Sequence, residues 1–179
     1  KESAQEALDA HLVRGAGWVK QGNANLVDTL VANMTAGADT QATGLGGLLY
    51  LYGGYVYEAA GRVATGDQVS AFNGKAADNY GKAWALLKDL QPGQPGRAAA
   101  LAGQARTTAL SPSKGPSDGI AALAAAGYDP ANIKTDITTD NDAAALLRQL
   151  AHLLAQTGAH KQAANRKQVA TDRRRQQAT

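Results

Sequence analysis

The chain has 179 residues, 44% of them hydrophobic, with 18 Lys and Arg against 15 Asp and Glu and no cysteine. The lack of cysteine excludes disulfides, thiolate metal sites and a cysteine nucleophile. Much of the apolar content is Ala, Val and Ile are sparse, and no run of several residues alternates apolar with polar, which argues for helices and against a sheet.

The net charge of +3 is local in origin. From residue 161 onward Lys161, Arg166, Lys167, Arg173, Arg174 and Arg175 face Asp172 alone, a net +5, which leaves residues 1–160 at −2. A globally basic surface for nucleic acid is therefore absent. Lys1 in place of Met fits a processed or trimmed N-terminus, by removal of a leader or otherwise.

The first predicted helix covers residues 2–20. Glu2, Glu6 and Asp9 lie early and Arg14 and Lys20 late, as the helix dipole favours. Leu8, Leu12 and Val19 line one side, while Gly15 and Gly17 are expected to weaken the last turn. A second helix, about residues 23–34, carries Leu26, Val27, Leu30, Val31 and Met34 as a helical stripe. Residues 35–44 read as a turn.

Residues 45–60 are the most hydrophobic stretch, with no charge between Asp39 and Glu58. A membrane span needs about 20 predominantly apolar residues. This run is shorter and contains four glycines, so a buried central helix is expected. After a linker at 61–66, a long helix over 68–90 places Phe72, Ala76, Tyr80, Ala83, Leu87 and Leu90 on one face. Two prolines and two glycines at 91–96 end it.

A short Ala-rich helix is predicted over 97–110, a Pro/Gly loop over 111–117, and another short helix over 118–126 closed by Gly127. The final helix opens at the capping cluster 139–142 and carries Leu146, Leu147, Leu150, Leu153 and Leu154. Past Gly158 no apolar face remains.

Candidate chemistry is sparse. His11, His152 and His160 have no ligand-spaced neighbours for zinc. Asp129, Asp136, Asp140 and Asp142 lack the spacing and glycine of a calcium loop, and are read as turn and capping residues. Ser111-Pro112-Ser113-Lys114 matches the S-x-x-K pattern of serine acylases, but within a Pro/Gly loop and without the partner motifs. Gly44-Leu45-Gly46-Gly47 follows no strand and lacks the Gly-Lys ending of a phosphate loop. No cofactor or metal is expected.

On the second-half pattern Ala76, Tyr80 and Ala83, with Gly54 and Tyr57 before it, residues 45–90 resemble a tetratricopeptide helical hairpin. The connection, read as about 61–70, is longer than that family's, and no second copy is apparent. The resemblance implies a helical protein-binding scaffold without catalysis of its own. The last helix is similar in composition to the ends of small helical subunits of secretion machinery and phage virions.

The expected fold is all-α: a bundle or helical-hairpin array of five to seven helices over residues 1–158, with a basic C-terminal helical extension at 159–179. The expected function is that of a non-enzymatic structural or adaptor subunit of a larger assembly, exported, periplasmic or virion-associated, whose partners are other protein subunits or copies of itself. The alternative is nucleic-acid binding by the basic residues of the extension, without stacking aromatics and therefore non-specific. Tyr50, Tyr52, Tyr55, Tyr57 and Trp84 are the candidate interface or core aromatics.

Overall fold

The structure, a computed structural model, describes residues 4–91, 94–111, 114–128, 146 and 149–158. These are all-helical: α1 (Ala4–Lys20), α2 (Asn25–Thr35), a one-turn 3-10 helix (Ala38–Thr40), α3 (Thr43–Val63), α4 (Asp67–Leu87), α5 (Arg97–Ala109) and α6 (Pro116–Ala125). A further helical segment occupies 149–158.

Each helix follows from local chemistry. α2 buries Val27 and Val31, four residues apart on one stripe. α4 buries Phe72, Ala76, Tyr80, Ala83 and Leu87 on one face. α6 opens with Pro116 at its first turn, and the Asp118 carboxylate accepts the Gly115 N–H at 2.8 Å. It ends at Ala125, and Gly127, with φ of 90°, carries the chain through the left-handed region just beyond.

The helices stack as successive neighbours. α3 and α4 form the most extensive contact, α5 packs on α4, α6 on α5, and α1 and α2 cover the other side of α3. Two apolar clusters result. The larger centres on α3 and α4, with Val27, Val31, Leu51, Val56, Tyr80 and Leu87 among its members. The smaller joins Leu101 and Ala105 of α5, Leu123 of α6, and Leu146, Leu150 and Leu153. Trp84 packs against both.

The predicted elements hold in type and differ at their ends. α3 continues to Val63 and α4 begins at Asp67, so the expected linker at 61–66 shrinks to three residues. Gly61 lies inside α3, its α-carbon facing Asn73 and Phe72, where a Cβ would stand 3.3 Å from Asn73 Oδ1. The connection that set this hairpin apart from the tetratricopeptide pattern is therefore short. The expected turn at 35–44 contains a 3-10 helix in which Ala38 is buried. Gly15 does not loosen α1, which runs on to Lys20; a Cβ there would lie 3.3 Å from Val56 Cγ1, so glycine brings α1 close to α3. In the last predicted helix Leu146, Leu150 and Leu153 are buried, whereas Leu154 is 45% exposed. Leu147, the capping cluster at 139–142 and the whole extension, with Lys161, Arg166, Lys167, Arg173, Arg174 and Arg175, lie outside the described residues.

Candidate functional site

The five candidate aromatics separate into three roles. Tyr50 and Tyr57 are core residues whose hydroxyls reach the edge of the protein. Tyr50 donates to Asp39 Oδ2 and Tyr57 to Asp28 Oδ1, each at 2.9 Å. Lys75 completes the second pair, with Nζ 2.7 Å from Asp28 and 5.7 and 5.8 Å from the Tyr57 and Phe72 ring centroids. Burial, then the bond to Asp28 and its charge, push the Tyr57 hydroxyl well above the ordinary tyrosine range. Trp84 is half-buried, with the Arg97 guanidinium 5.3 Å from its ring.

Tyr52 and Tyr55 instead line an open groove of about 460 Å³. One wall is Leu8 and Leu12 of α1, the floor is Leu48, Leu51 and the two tyrosines of α3, and the opposite wall is Pro95, Gly96 and Ala99 at the start of α5. The two tyrosine rings stack with centroids 6.3 Å apart. The lining offers apolar surface and two hydroxyls, a composition suited to apolar side chains of a partner.

Behind Tyr55 lies a buried polar network that sequence inspection missed. Tyr55 meets Tyr80 edge-on, with centroids 5.8 Å apart. The Tyr80 hydroxyl donates to Glu58 Oε2 at 2.6 Å. Arg106, from α5, donates through Nε to Glu58 Oε1 at 2.7 Å and through Nη2 to Oε2 at 2.8 Å, a two-pronged pairing. Arg62, one turn along α3, adds a bond of 3.0 Å from the surface. Glu58 is 5% exposed, so its charge is sustained by these donors rather than by water.

Burial alone pushes the Glu58 carboxyl up. The bonds from Arg106 and Tyr80 and the charges of Arg106 and Arg62 outweigh it and hold the group at about 2. For Tyr80, burial and the neighbouring Glu58 charge and bond push the hydroxyl far above its usual range. Arg106 also reaches Gln149 Oε1, at 3.5 Å, on the segment 149–158, and Gln149 Nε2 is buried without a hydrogen-bond partner.

The one sequence signal for this network was Glu58 itself, the first charge after Asp39 and set in the most apolar helix. Arg62 stands at i+4 on the same helix, but Tyr80 and Arg106 lie 22 and 48 residues away, beyond any spacing rule.

Of the remaining sequence candidates, Asp129, Asp136, Asp140, Asp142 and His160 lie outside the described residues, and the others stay apart. Ser111 Oγ donates to the Thr107 carbonyl at 3.2 Å and finishes α5, while Lys114 is exposed. His152 bonds Gln156 at 3.0 Å, and His11 sits on α1 with Nδ1 buried and without a hydrogen-bond partner. Among the described residues no three His, Asp or Glu side chains are grouped to hold a metal, and no helix is long and apolar enough to cross a membrane.

The described residues are all-helical, with the helices packed against one another around the α3–α4 hairpin. No family model, curated protein or solved structure matches the chain.

Proposed function

We propose that the chain is a non-enzymatic helical subunit or adaptor of a larger assembly that engages other protein chains through its helix faces. The observation that carries this reading is the division of labour between polar and apolar side chains. Among the described residues the best-buried charged group, Glu58, is taken up by pairing with Arg106 and Tyr80 of other helices and Arg62 of its own, and, nearer the surface, Asp28 pairs with Lys75 and Tyr57. The groove between α1, α3 and the start of α5 is instead apolar and aromatic. A catalytic pocket would converge polar groups on a cavity. Here they converge on one another.

The test is the molar mass of the full chain by light scattering on a sizing column, with absorbance followed at 260 nm. A discrete multimer free of nucleic acid, dissociated by Tyr52→Glu in the groove, supports the reading in its self-assembling form. A monomer that carries nucleic acid moves the function to the basic residues from Lys161 to Arg175. A clean monomer whose groove variants leave every interaction unchanged overturns the groove as the contact surface.

A further inference from the structure

We infer that the groove wall and the C-terminal helical segment are coupled, so that docking of residues 149–158 sets the position of Tyr55. This concerns the chain alone and does not rest on the identity of any partner.

The coupling follows from the two faces of α5. On one face Gly103 lies against the Tyr80 ring, where a Cβ would stand 2.8 Å from Cδ1, Cε1 and Cζ, and Arg106 grips Glu58. On the other, Leu101 and Ala105 pack with Leu150 and Leu153. α5 is thus a shared wall between the segment and Tyr80. Tyr80 has no room to absorb a displacement of that wall. Its ring lies between Gly103 and Gly54, with hypothetical Cβ atoms at 2.8 and 2.6 Å, and its hydroxyl is fixed to Glu58 at 2.6 Å.

Tyr55 rests edge-on against this ring and presents its other side to the groove. A close-packed interior transmits such a displacement instead of absorbing it. The Arg106 contact to Gln149 adds a polar thread along the same path, and the unpartnered Gln149 Nε2 marks this junction as incompletely satisfied. The cost of that group offsets part of what the burial of Leu150 and Leu153 contributes to holding the segment in place.

The experiment uses the full chain labelled with 3-fluorotyrosine, the six tyrosine resonances being assigned by single Tyr→Phe changes. Leu150→Asp is introduced to undock the segment, and faster amide exchange in α6 reports that it has done so. The expected result is a shift of the Tyr55 resonance beyond its linewidth, while Tyr50, tied to Asp39 on the 3-10 helix, stays in place. An unmoved Tyr55 in a chain whose α6 exchanges fast would overturn the coupling. Should Leu150→Asp fail to fold, Gln149→Ala decides: a Tyr55 shift beyond its linewidth with Tyr50 unmoved sustains the inference, and none refutes it.

Discussion

Gly54 of α3 and Tyr80 of α4 are in such close contact that a Cβ on the glycine would stand 2.6 Å from the ring carbons Cδ1 and Cε1. The missing side chain is what brings the ring to its depth, where the hydroxyl meets Glu58. Ring position and hydroxyl bond therefore depend on one absent methyl group.

Gly54→Ala should accordingly destabilise the fold by about 1–3 kcal/mol through overpacking, against the roughly 1 kcal/mol that alanine gains in an ordinary helix interior. Gly74→Ala, on α4 with nothing within 4 Å of the added Cβ, should show the opposite sign. Urea denaturation of the two variants checks this, with equal slopes and midpoints displaced in opposite directions.

Arg106→Met leaves the Glu58 carboxylate buried with only Tyr80 and the surface Arg62, and should cost about 3–5 kcal/mol. Glu58→Gln combined with Arg106→Met removes both charges and should recover part of that loss in a double-mutant cycle. Arg62→Ala should be nearly silent, since its side chain is 71% exposed.

The pH dependence has two limbs. Glu58 titrates at about 2 in the fold against 4.5 for the free group, so its contribution is present above pH 4.5 and is lost as the pH falls toward 2. Tyr57 and Tyr80 are raised above their usual 10.0, so their contribution is complete below pH 10 and is lost as the pH climbs beyond it. Thermal melts across both ranges should show a fall at each end, and Glu58→Gln should flatten the acid limb.

Tyr80→Phe keeps the ring between Gly54 and Gly103 but withdraws a donor from a buried carboxylate, at a cost of about 1–3 kcal/mol. Tyr57→Phe should cost less, because Asp28 retains Lys75 and is 45% exposed. Comparing their denaturation midpoints ranks the two networks.

The helices were legible wherever apolar spacing was regular. Phe72, Ala76, Tyr80, Ala83 and Leu87 sit on the buried face that their periodicity predicts. The linker was misjudged because Gly61 and Gly66 look alike in sequence. In the fold Gly61 is a helical contact, and Gly66, with φ 57°, is the turn. The aromatic cluster was legible as a group but not in its division, since whether a tyrosine of α3 faces α2, α4 or the groove depends on neighbours that come from far along the chain. Glu58 with Arg106 was illegible for the same reason.

Along α3 four glycines lie close against their neighbours: Gly46 to the Ala38 carbonyl, Gly47 to Leu87, Gly53 to Val31 and Asn79, and Gly54 to Tyr80. Most cores are damaged by trimming a large side chain. This helix is most sensitive to enlargement, so a survey of random substitutions should find its least forgiving positions among residues that have no side chain to lose.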